Sequence, residues 1–139
     1  MNRNFYYSSI FNALFFLVGQ ILLFRHFSLS QYAFAYPYIV FLLFLPTGTN
    51  TSLAMIIGLF TGLAIDFYDQ TIGVHASSCV FLMFLRPYVL KFLEPNTSYD
   101  PSQVISIKTM KPEWIIQLLL FCSILHHTFF FFVEAFRMD

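Results

Sequence analysis

Few side chains in this sequence could do chemistry, and those few are spaced at helical intervals. Asp66 and His75 stand nine positions apart, on either side of Tyr68-Asp69-Gln70-Thr71. A tight turn there brings a carboxylate to an imidazole, so that each satisfies the other and the turn is locked to the next helix. A proton relay would use the same pair but continue through polar residues deeper in the chain's apolar segments, and no such ladder follows. His126 and His127 are adjacent, and Glu134 comes seven residues after His127. Seven residues is close to two helical turns, so His127 and Glu134 share a face while His126 points about 100° away. With Asp66 and His75 they form a nominal ligand set. Metal sites usually show His at i, i+4 or paired Cys/His spacing, so helix–helix hydrogen bonding suits these residues better. No nucleophile–base pair, phosphate-binding loop or nucleotide motif accompanies them. The reading is therefore of no enzyme, no catalytic residue, no cofactor and no metal.

Asp66 also closes a stripe. Ala54, Gly58, Gly62 and Asp66 follow one another every four residues, which stacks them on one helix face. Small residues at this spacing let two helices approach closely, either within the chain or with a partner. Arg86 precedes Pro87, which removes one helical hydrogen bond and disfavours helical backbone at Arg86. A kink is expected there, with the guanidinium snorkelling to headgroups or reaching another span.

The elements that must position these residues are apolar. Of 139 residues, 58% are hydrophobic and 10% charged, against about 25% charged in an average soluble domain. There are 20 phenylalanines, four of them consecutive at 129–132. Such a chain is read as an all-α polytopic membrane protein forming one transmembrane domain. A span needs about 20 apolar residues, and five segments approach that: 8–24, 31–45, 51–67, 71–93 and 114–133, with a polar loop at 94–113. The second and third are near the lower limit, so either could be re-entrant. The turn Pro46-Thr47-Gly48-Thr49-Asn50 separates them. The first run exits through Arg25-His26-Phe27-Ser28, which lacks the small residues a signal peptidase needs, and is read as a retained span. Trp114, Tyr6 and Tyr7 suit the aromatic belt of a membrane interface. Cys79 and Cys122 fall inside apolar runs and read as small packing residues.

Lys+Arg and Asp+Glu are both 7, and no basic tract supports nucleic-acid binding. With the N-terminus inside, Arg3, Arg86, Lys91, Lys108 and Lys111 lie on the cytoplasmic side and Arg25 and Arg137 outside. The positive-inside rule favours that orientation.

These residues resemble a known family. Gly58-Leu59-Phe60-Thr61-Gly62-Leu63-Ala64-Ile65-Asp66 followed by Gly73-Val74-His75-Ala76 is similar to the core motif of the rod shape-determining protein MreD. Leu45-Pro46-Thr47-Gly48-Thr49, Phe84-Leu85-Arg86-Pro87-Tyr88, and His126-His127-Thr128 with Glu134-Ala135-Phe136 resemble the variant of that family found in Bacteroidota. The resemblance runs from about Tyr6 to Phe136, with Gly58–Ala76 its most specific part. It implies a distant relation to the six-helix S-component fold of vitamin transporters, set against the bundle of about five spans counted from the residues. It also implies a non-enzymatic subunit of the cell-elongation complex in the bacterial inner membrane. Such a subunit binds MreC directly. Through MreC it is linked to MreB, to RodA and to a class B penicillin-binding transpeptidase, and so to peptidoglycan synthesis and cell shape. Family members usually continue into a further span beyond the position matching Phe136; the expectation here is either a truncated sequence or an absent last helix. Membrane lipid and a second copy of the chain are the other partners considered. The competing reading is a small transporter or ligand-binding subunit of the S-component type, with a pocket at Asp66, His75, His126 and His127.

Overall fold

A computed structural model describes residues 38–94, 105 and 110–137. The expected first span, most of the second and most of the 94–113 loop lie outside the described residues. The chain divides between Phe41 and Leu42 into two compact units, and the account below concerns the second. Among the described residues there are four helices and no strand: α1 (Tyr38–Leu43), α2 (Thr51–Asp69), α3 (Val74–Phe92) and α4 (Pro112–Arg137). Two of them are long and apolar enough to cross a membrane, over Thr51–Asp69 and Pro112–Phe136.

Local chemistry sets the ends of α2. In the turn before it, Thr49 returns both its N–H (3.1 Å) and its hydroxyl (2.8 Å) to the Pro46 carbonyl. Asn50 then caps the helix, its side-chain oxygen accepting from Ser52 N–H at 2.9 Å. The helix runs to Asp69, two residues beyond the expected end at Phe67. It stops where Gln70 turns left-handed at φ 57° and gives its N–H back to the Asp66 carbonyl. α3 follows after Gly73, also left-handed at φ 79°, and continues through Pro87 to Phe92.

α3 packs against both α2 and α4. The face of α2 turned to α3 carries Ala54, Gly58, Thr61, Gly62, Ile65 and Asp66, all buried. The expected stripe of small residues is thus covered by the chain's own next helix. A Cβ at Gly62 would lie 2.4 Å from Ala76 Cα and 2.6 Å from Ala76 N, closer than real atoms approach. At Gly58 it would meet Met83 Cγ at 3.0 Å and the Cys79 carbonyl oxygen at 3.1 Å. Glycine is required at Gly62 because backbone meets backbone there. On the far side of α3, Phe81 stacks on Phe129 of α4 with ring centroids 4.2 Å apart. Cys79 and Cys122 are buried free thiols.

The distribution of side chains is inverted relative to a helix packed in water. The outward face of α2 holds Leu53, Ile56, Phe60, Leu63 and Phe67, the last 91% exposed, while its inward face holds the small and polar residues. In water each exposed ring would forgo its hydrophobic transfer energy, about 25 cal/mol per Å². Against acyl chains that cost vanishes, and close backbone packing becomes the main source of helix association.

The glycine geometry predicts an order of damage. Gly62→Ala should lower stability in detergent by about 2 kcal/mol or more, since overpacking displaces backbone. Gly58→Ala should cost less, because the Met83 side chain can shift. Thermal unfolding of the two purified variants checks this, and equal losses would contradict it.

Candidate functional site

Most of the polar residues singled out by spacing lie in two places, one at the start of α3 and one toward its end. At its start, Gly73 occupies the cap position and contributes no side-chain hydrogen bond. The first turn of α3 therefore has N–H groups without partners of its own. Asp66 supplies them from α2. Its Oδ1 accepts from His75 N–H at 2.9 Å and its Oδ2 from Ala76 N–H at 2.9 Å. Thr71 donates its hydroxyl to Oδ1 at 2.8 Å. That commits the Thr71 proton, so the contact between Thr71 Oγ1 and His75 Nδ1 (2.9 Å) requires the proton on Nδ1. The same Nδ1–H lies 3.1 Å from Asp66 Oδ1.

Asp66 is 5% exposed and His75 2%. The carboxylate is thus a buried helix cap provided by a neighbouring helix. Negative charge at a helix N-terminus is favoured by the aligned peptide dipoles. The spacing of Asp66 and His75 across the turn pointed to their pairing. It did not point to the two backbone N–H donors or to Thr71. A glycine at the α3 cap position, with a carboxylate seven residues before it at the end of the helical stripe, was the available signal.

His75 is also in ring contact with Phe130 of α4, at 4.8 Å between centroids. His126 is buried and lies parallel to the same Phe130 ring at 6.3 Å. His127, half-buried, is 2.7 Å from the Ser123 carbonyl through Nδ1, which therefore donates. Asp66, His75 and His126 are thus gathered near one another, His126 by way of an aromatic ring that its spacing did not announce. Glu134 is half-buried further along α4. Among the described residues no three His, Cys, Asp or Glu side chains converge to hold a metal ion.

Of the two places expected for its guanidinium, Arg86 takes the one within the chain. It does not snorkel to headgroups: it is 2% exposed. Its Nη2 donates to the carbonyls of Leu43 (3.2 Å), Leu45 and Pro46 (3.4 Å), and Nη1 also reaches Pro46. Leu43 ends α1, where carbonyls lack helical donors and the dipole is negative. A guanidinium has five donors in a fixed fork and can serve several such oxygens at once. Trp114, expected at the interface, donates Nε1–H to the Leu93 carbonyl at 2.7 Å and so joins the end of α3 to the start of α4. Thr61, Ser77 and Ser78 return their hydroxyls to carbonyls of their own helices at 2.8, 3.0 and 2.8 Å.

The described residues define a helical protein whose buried charges serve helix ends. Two of its helices are long and apolar enough to span a bilayer. Set against known protein families, curated proteins and solved structures, the chain matches none.

Two variants separate this geometry from a generic buried polar cluster. Asp66→Ala leaves the His75 and Ala76 N–H groups without acceptors and should destabilise by about 3 kcal/mol, at roughly 1–3 kcal/mol for each buried orphan. Asp66→Asn keeps one acceptor but sets an amide donor against the other N–H, so it should lose less than alanine and still be measurably weaker than wild type. Denaturant titration in micelles checks the order. For the other end, Arg86→Met should cost about 2 kcal/mol and hasten thiol labelling of a cysteine placed at Thr47, whereas Arg86→Lys should show a smaller change in both. Unaltered labelling in Arg86→Met would remove Arg86 as the clamp on that turn.

Proposed function

We propose that this chain is a multi-pass protein of the bacterial inner membrane and a non-enzymatic scaffold subunit of the cell-elongation complex. It is of the MreD type, with MreC as its direct partner. The observation that carries the reading is the fate of the Gly58–Ala76 block. The residues on which the resemblance rests are those that make one close-packed corner: Gly62 lies under Ala76, and Asp66 holds the first turn of α3. A motif of two glycines, a carboxylate and a histidine then has a common mechanical purpose, which is to fix two antiparallel helices without a hydrophobic driving force. The inverted distribution of side chains on α2 supports the membrane placement.

In this role the bundle acts as a rigid post. Its buried charges Asp66 and Arg86 are spent on its own helix ends, and its outward surfaces remain for lipid and for the membrane segments of partners. MreB, RodA and the transpeptidase are connected to it through MreC. The N-terminus and the loop at 94–113 are assigned to the cytoplasmic side by their positive charges.

A transporter of the S-component type would instead place a solute among Asp66, His75, His126 and His127. Asp66 already accepts hydrogen bonds from Thr71, His75 and Ala76, and Phe130 lies against both His75 and His126. These contacts favour the scaffold.

Purification of the tagged full chain from native membranes, followed by identification of the co-migrating proteins, tests the proposal. MreC should be recovered in near-stoichiometric amount. A preparation with no MreC, or one that takes up a radiolabelled solute in liposomes, would sink it.

A further inference from the structure

Arg86 uses only part of its fork. Nη1 and Nη2 are held on the carbonyls of Leu43, Leu45 and Pro46, so the guanidinium plane is not free to turn. Among the described residues its Nε reaches no acceptor, although the side chain is buried. A buried N–H without an acceptor is costly, the more so where bulk water is not at hand.

The register of α3 against α4 shows what stands across from it. Trp114 bonds to Leu93 at one end of the interface, and Phe129 stacks on Phe81 farther along. Cys122 lies eight residues after Trp114 and Arg86 seven before Leu93, so antiparallel packing sets the two at one level. They are near enough to interact electrostatically. No direct hydrogen bond joins them. The Cys122 thiol is free and buried, and among the described residues it makes no hydrogen bond. In the buried row of α4, formed by Ile115, Leu118, Cys122, His126 and Phe130, Cys122 has the smallest side chain. The row is therefore thinnest opposite Arg86.

Two buried polar groups thus face each other across a gap that neither closes. An anion would satisfy Nε but would meet the carbonyl oxygens that lie beside the same guanidinium. A water accepts from Nε and has two protons to give, one to the sulfur and one to the second lone pair of a carbonyl such as that of Leu43. That makes about three polar partners, the usual number for a buried water.

We infer that α3 and α4 hold one buried water between Arg86 Nε and the Cys122 thiol. It completes the hydrogen bonds of the guanidinium and gives Cys122 a polar role in the clamp on the turn after α1. The inference goes beyond the role proposed above and does not depend on MreC.

Magnetisation transfer between Arg86 Hε and water, in the full chain labelled with nitrogen-15 at arginine and held in lipid nanodiscs, tests it. The Arg86 signal is identified as the one lost in Arg86→Lys. It should show a direct Hε–water cross-peak of the sign that a long-lived bound water gives. Cys122→Ser, whose hydroxyl also donates and accepts, should retain the cross-peak. Cys122→Val, which puts a methyl group into the gap, should abolish it while the other arginine signals stay in place. A wild-type Hε signal without a water cross-peak would overturn the inference, as would a cross-peak that survives Cys122→Val unchanged. Should the valine variant not fold, loss of the cross-peak in folded Cys122→Ser would count against it equally. An Hε shift that follows chloride concentration would show an anion in the water's place and overturn it too.

Discussion

The carboxylate of Asp66 stands at the beginning of a helix that has no cap of its own. α3 starts after a left-handed glycine, so its first N–H groups depend on an acceptor from elsewhere. Asp66 meets that need only if α2 lies within hydrogen-bond distance of the first turn of α3. Such an approach brings the two backbones together one turn earlier, at Gly62, where any side chain would collide with Ala76. Charge, glycine and turn are therefore one requirement. The left-handed Gln70 and the Thr71 hydroxyl reverse the chain in the space between them.

A complementary arrangement holds the other end. Arg86 brings positive charge to the carbonyls that follow α1, as Asp66 brings negative charge to the N–H groups that open α3. Both charges are buried: Arg86 is met by main-chain carbonyls, and Asp66 by two main-chain N–H groups together with the Thr71 and His75 side chains. These partners are fixed by the fold, so neither charge needs a mobile counter-ion. A buried ion that finds such partners avoids the large penalty of an unpaired charge. This also explains how a chain with so few charged residues can bury two of them and still present a largely apolar exterior.

Helix existence was legible because the apolar runs are long and their interruptions are turn residues, both local properties. The pairing of Asp66 with His75 was legible for the same reason, since only a short turn lies between them. The small-residue stripe on α2 was visible by its period, but its occupant was not. A stripe of Ala54, Gly58 and Gly62 would look the same whether it received α3 or another protein. For Arg86 the choice between headgroups and another span stayed open because its acceptors are carbonyls some forty positions earlier. Every residue has a carbonyl, so no side-chain pattern distinguishes these. His126 likewise owes its place beside His75 to the ring of Phe130, one among twenty phenylalanines.

By itself the sequence determined that the chain is helical and strongly apolar, and that a carboxylate and an imidazole face each other across a reverse turn. Those features follow from periodicity, composition and backbone preferences over a few residues. The tertiary structure alone decided that the carboxylate is a cap for another helix, that the small stripe is filled from within, and that the arginine is buried. Each of these depends on which main-chain groups are left without partners once the helices have packed, and packing is settled between segments distant in the chain.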